Sequence, residues 1–167
     1  ANGVITGLGW YVTGVPAEAL PNYTIKLKHT TAVNANVYDG VGLTTTAIVP
    51  SYAATAGGYD VVSFGTQTFT WNGADNILVD VCFNPVVNYN ASGLVRTFAG
   101  SSKYIRSDLS SQCGVATSTT TTYRPQVRFQ MTGGTPLTCF QPTNLSATNV
   151  TAYTAQLNWT TGGSIAW

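Results

Sequence analysis

Through much of this chain apolar residues recur at every second position, the period of a strand with one buried face. Tyr23, Ile25 and Leu27 alternate with Thr24, Lys26 and Lys28, which assigns the first set inward and the second to water. Residues 4–12 set Leu8, Trp10 and Val12 against Gly7, Gly9 and Tyr11, and residues 59–64 form a further strand. Residues 123–131 alternate again, with Val127, Phe129 and Met131 inward and Arg124, Gln126, Arg128 and Gln130 outward. Pro125 has no N–H to donate, so this strand starts at the proline or lies at an edge. Weaker strands are predicted at 35–38, at 45–49 ending at Pro50, and at 94–99 and 103–105 around a turn at 100–102. Residues 114–122, nearly pure Ser and Thr, read as a surface loop.

The strongest local signal is residues 68–84, where β-branched and aromatic runs flank Asn72-Gly73-Ala74-Asp75. This predicts a hairpin of two strands joined by a tight turn. Ile77, Val79 and Val81 lie on one face of its second strand and Leu78, Asp80 and Cys82 on the other. That near-continuous apolar character places the strand centrally in its sheet, with the first 138 or so residues built around it.

Composition supports strands over helices. Only 8% of the 167 residues are charged, while Thr, Val, Tyr, Asn and Gly are abundant. The net charge of +1 and the scatter of Lys and Arg leave no basic stripe for nucleic acid. No apolar run approaches the roughly 20 residues that cross a bilayer. No leader opens the sequence, so an export signal would lie outside it or have been removed.

Candidate chemistry is sparse. Cys82, Cys113 and Cys139 lack CxxC spacing, which argues against zinc. Cys82 and Cys113 are read as a disulfide, with Cys139 left over or paired outside this segment; three buried thiols are the alternative. The bridge would imply an oxidising compartment. Asp39 and Asp75 are weak calcium candidates without DxDxDG spacing, so no metal or other cofactor is expected. His29 is the only histidine and Glu18 the only glutamate. With no G-x-S-x-G motif and no recognisable acidic pair, no catalytic residue is assigned and no enzyme is expected. Tyr11, Tyr38, Tyr52 and Tyr89 are candidates for a glycan-stacking platform, with Trp10 and Trp71 assigned to the core. Asn22, Asn90, Asn144, Asn149 and Asn158 each begin an N-x-[ST] sequon.

Thr132-Gly133-Gly134-Thr135-Pro136 breaks the composition. The reading is a sandwich over residues 1–131, a linker over 132–138, and a second, truncated domain over 139–167. In that last stretch Pro142, Leu145, Ala155, Leu157 and Trp159 resemble the first two strands of a fibronectin type III domain, whose full length is about 100 residues. Two strands cannot bury a core alone, so the sheets are expected to be completed by further chain or by another molecule.

Residues 3–129 resemble β-sandwich modules of large secreted and surface proteins of Bacteroidetes, including gliding-motility adhesins and other type IX secretion cargo. Trp71, Gly73, Asn76, Ile77, Leu78, Val79 and Cys82 carry the resemblance, together with Arg124-Pro125-Gln126-Val127-Arg128-Phe129. It implies an antiparallel, all-β, jelly-roll-like sandwich, followed here by the fibronectin-like start, with one further strand before Ala1. The implied role is a non-catalytic structural or adhesive module at the cell surface, its partners being neighbouring modules or chains. An accessory carbohydrate-binding domain of a secreted hydrolase or peptidase, with glycans as partners, is the alternative.

Overall fold

A computed structural model describes residues 2–86, 91–134 and 143–160. Cys139, Pro142 and Tyr89 lie outside the described residues. The chain divides into two compact units, Ala1–Gly134 and Thr135–Trp167. No helix occurs among the described residues, and none is therefore long and apolar enough to cross a membrane.

The first unit is an all-β sandwich organised on two long strands, β1 (Gly3–Gly14) and β2 (Leu20–Thr30). Strands β3 (Thr44–Tyr52) and β6 (Asn76–Cys82) flank β2 on its two edges. Along β1 run β4 (Gly58–Ser63) and β5 (Phe69–Trp71) on one edge and β10 (Val127–Thr132) and β7 (Leu94–Val95) on the other. All these pairings are antiparallel. A register shift between Ile5 and Gly7 changes the phase of β1, so that Ile5 and then Leu8, Trp10 and Val12 face inward.

Between the sheets Ile5, Leu8, Val62 and Phe69 meet Tyr23, Ile25, Leu27, Ala47 and Tyr52, with Ile77, Val79, Val81, Val127 and Phe129 packed around them. Met131, assigned inward, is instead 40% exposed at the end of β10. Polar groups in this core are satisfied. The Trp10 indole N–H donates to Tyr23 Oη at 2.6 Å, and Tyr52 Oη donates to Asp60 Oδ2 at 2.8 Å, which also accepts from the Thr55 amide at 2.7 Å.

Burial and, secondarily, the Asp60 carboxylate push the Tyr23 phenol up to about 12, although the Trp10 donor acts the other way. An unfolded tyrosine titrates near 10, so between those values the unfolded chain has lost a proton that the folded chain keeps. Stability is therefore lost as pH rises through that window, by roughly 2–3 kcal/mol from this group. Urea midpoints measured at pH 8, 10 and 11.5 are expected to fall only across the upper interval. A midpoint as high at pH 11.5 as at pH 8 would contradict this.

Several strand assignments need correction. First, residues 68–84 are not a hairpin, because β5 pairs with β1 and β6 pairs with β2, so the turn carries the chain from one sheet to the other. The turn closes through side chains. Asn72 Oδ1 accepts from the Ala74 and Asp75 amides at 3.0 and 2.9 Å, and the Trp71 indole donates to the Asp75 carbonyl at 2.7 Å. Strand β6 is also an edge strand rather than a central one. Its second face is half-buried because residues 31–43 lie against this side of the sheet, where Asn76 Nδ2 donates to the Ala32 carbonyl and Lys28 reaches Asp39 and Val41.

Second, residues 100–102 are not a turn between two strands. They lie inside β8 (Thr97–Tyr104) as an irregularity in its pairing with β9 (Thr119–Pro125). Third, Thr119 onward is strand rather than loop. Its β-branched threonines suit a strand, and Ser102 bonds across to the Thr121 hydroxyl at 3.0 Å and to the Tyr123 carbonyl at 2.8 Å. Residues 35–38 form no strand, and β3 continues through Pro50, an edge position where the missing N–H does no harm.

In the second unit, β11 (Thr143–Thr148) pairs antiparallel with β12 (Gln156–Thr160), leaving Leu145, Leu157 and Trp159 exposed.

Candidate functional site

The most organised surface group lies where β1, β7–β8 and β9–β10 converge. Arg96 is the single residue between β7 and β8, and Gln126 the single residue between β9 and β10. Their main chains close a ring with Tyr11: Tyr11 N donates to the Gln126 carbonyl at 3.2 Å, Arg96 N to the Tyr11 carbonyl at 2.8 Å, and Gln126 N to the Arg96 carbonyl at 2.7 Å. Three backbone bonds thus bring the side chains of Tyr11, Arg96 and Gln126 to one patch.

Strand alternation decides what those side chains meet. Trp10 faces the core, so Tyr11 faces out, opposite Tyr59 of β4 in register. The two rings meet edge to face at 5.3 Å. Across the same face Gln126 Nε2 donates to Tyr59 Oη at 2.8 Å. The Arg96 guanidinium lies 3.8 Å over the Tyr11 ring, and that of Arg128 lies 5.7 Å from the Tyr59 ring, both within cation–π range. Arg128 pairs with Gly9 in register and Val61 pairs with it from the other side. Gly9 has no side chain, so Val61 and the β4 main chain close in over it.

The patch is basic. The outward positions at this end of β1, β4 and β10 carry no carboxylate, and Asp60, the nearest in register, points inward to Tyr52. Among the described residues neither Arg96 nor Arg128 has an ion pair; the pair formed is Lys28 with Asp39.

Of the tyrosines proposed from sequence, the three that are described, Tyr11, Tyr38 and Tyr52, do not share one face. Tyr11 is in the patch, but Tyr52 is 8% exposed and belongs to the core, its ring 4.3 Å from that of Tyr23. Tyr38 is on the other sheet's outer side, where burial and the Asp80 carboxylate raise its pKa. Asp80 is itself raised by burial, against the lowering effect of Lys26 paired with it in register. A raised carboxyl pKa means that the charged form opposes folding at neutral pH, so Asp80→Asn is expected to increase the melting temperature at pH 7. That advantage should shrink as the pH falls through the raised carboxyl range, which thermal melts at pH 7 and pH 4 will test.

The calcium candidates are engaged elsewhere. Asp39 pairs with Lys28, and Asp75 Oδ2 accepts from Asn72 Nδ2 at 2.7 Å within the turn. Among the described residues no group of three or more His, Cys, Asp or Glu is placed to hold a metal ion. His29 packs on Phe69 with ring centroids 4.8 Å apart, and its Nε2 accepts from the Asn72 amide at 3.3 Å. Cys82 and Cys113 form a disulfide with Cα atoms 5.4 Å apart.

Arg96 and the meeting of all five side chains were not foreseen. The outward register of Tyr11, Gln126 and Arg128 was the available signal. No family model, no curated protein and no solved structure matches the chain.

Proposed function

We propose that this chain is a non-catalytic structural or adhesive module of a large, secreted, multidomain cell-surface protein. In this reading its first unit is a jelly-roll-like sandwich and its second the beginning of a fibronectin type III-like domain, with neighbouring modules or chains as its structural partners. The observation that carries the reading is the backbone-braced aromatic and basic patch of Tyr11, Tyr59, Arg96, Gln126 and Arg128 on a sandwich stapled by a disulfide. Exposed aromatic and basic side chains braced on paired strands suit attachment to a surface, and the disulfide suits an oxidising, extracellular setting.

Latex beads coated with the chain are expected to be retained on polysaccharide-coated or cell-envelope surfaces several-fold better than beads coated with an unrelated β-sandwich, with no release of reducing ends or peptides. Retention no better than the control, or release of product, would overturn the adhesive reading. The second reading, an accessory carbohydrate-binding domain of a secreted hydrolase or peptidase, draws on one feature. An aromatic ring beside an amide and a guanidinium can stack on a pyranose face and bond to its substituents.

A further inference from the structure

We propose that the Tyr11–Tyr59 patch binds a carboxylate-bearing polysaccharide, a polyuronate, with Arg96 and Arg128 as its carboxylate receptors. The inference rests on the adhesive reading and names the chemistry of the surface the module would hold.

Charge complementarity points to an anion. Two guanidiniums stand on one small face without a facing carboxylate, and the acid nearest in register is turned inward and already bonded to Tyr52 and Thr55. Arg96 is positioned before any ligand arrives, its guanidinium 3.8 Å over the Tyr11 ring, and Arg128 lies 5.7 Å from the Tyr59 ring, at the outer limit of cation–π range. A guanidinium stacked through its face keeps the N–H groups along its edge available, and that planar fork matches a carboxylate in two parallel hydrogen bonds.

The remaining surface favours a sugar polymer over a free acid. Tyr59, 36% exposed, presents aromatic area between the two cations, and Val61, also 36% exposed, extends it over the glycine-floored strand. A pyranose can rest its C–H face on such a surface while its carboxylate reaches an arginine. Gln126, whose amide already orients Tyr59 Oη, supplies a further polar group for ring hydroxyls. A net charge of only +1 over the whole chain makes long-range attraction to nucleic acid weak, so recognition has to come from the patch itself.

The test is affinity electrophoresis of the full chain through gels containing polygalacturonate, fully methyl-esterified pectin, dextran sulfate or a single-stranded oligonucleotide. Retardation by polygalacturonate is expected, together with its loss on the esterified polymer, which keeps the backbone and removes the charge. The Arg96→Gln/Arg128→Gln double variant and Tyr59→Ala are each expected to weaken retardation about ten-fold or more. Arg128→Gln alone, at an exposed position, is expected to give an intermediate loss and unchanged thermal unfolding. Equal retardation by esterified pectin, or unchanged retardation of the double variant, overturns the proposal. So does stronger binding of dextran sulfate or the oligonucleotide with the same dependence on the arginines, or a dimer in sedimentation that the double variant abolishes. The two readings fail separately: bead adhesion that survives in the double variant removes this site and leaves the adhesive module standing, whereas release of reducing ends from polygalacturonate removes the non-catalytic reading.

Discussion

Reduction of the Cys82–Cys113 disulfide is expected to destabilise the first unit by roughly 3–4 kcal/mol and lower its melting temperature by about 10–15 °C. Cys82 ends β6, where its main chain is in register with Thr24, so one end of the bridge is fixed to the sandwich. Cys113 lies in the exposed segment between β8 and β9, outside any strand. The bridge spans 31 positions and therefore removes many open conformations from the unfolded chain. Little in the way of packing holds the other end, since Leu109 in the same segment is 96% exposed. The disulfide thus ties that segment to the end of β6. Thermal melts with and without a reductant, in a Cys139→Ser background that prevents thiol exchange, give the value directly. The Cys82→Ser/Cys113→Ser variant should reproduce the reduced protein. A change below about 2 °C, with reduction verified by mass, would mean that the segment is restrained by other contacts in the unfolded or the folded state.

The parts of the fold that were legible in the sequence are those set by neighbours in the chain. Tyr23, Ile25 and Leu27 are buried as their alternation with Thr24, Lys26 and Lys28 requires, because a strand's two faces are decided locally. Partner choice is different. Phe69 and Trp71 stand a few residues from Ile77 and Val79, yet they pair with Ile5 and Gly3, because the Asn72 turn folds on its own side chains and frees the two strands for different sheets. The Ser/Thr run was unreadable for a related reason. Its threonines are exposed apart from the half-buried Thr121, so no apolar alternation marks them, and only the β8 partner makes them a strand. The patch shows both behaviours at once. Tyr11, Gln126 and Arg128 follow from alternation, whereas their meeting with Tyr59 and Arg96 depends on the register between strands distant in sequence.

Gly9→Val is expected to destabilise the first unit by about 3 kcal/mol or more, and Gly9→Ala by nearly as much. The reason is the Cβ itself, which alanine and valine share. At position 9 it would stand 2.6 Å from the Asp60 carbonyl oxygen, 2.9 Å from Val61 Cα and 2.8 Å from Val61 Cγ2. Two of these atoms are main chain and cannot turn away, so β1 and β4 would have to separate between Leu8↔Val62 and Trp10↔Asp60, two pairs that feed the core. Gly58 is the matched control. It pairs with Val12 in the same two strands, but a Cβ there meets nothing within 4 Å. Gly58→Ala is therefore expected to change stability by only about 0.5 kcal/mol or less. Urea unfolding of the three variants separates close strand approach from the general preference of strands for residues larger than glycine. Equal effects at positions 9 and 58 would exclude the former. Because Val61 and Arg128 both pair with Gly9, parting the strands also spreads the basic patch, so a Gly9→Ala protein kept folded at low temperature is expected to lose polygalacturonate binding along with stability. The floor of the candidate site and the close packing of its sheet are the same glycine.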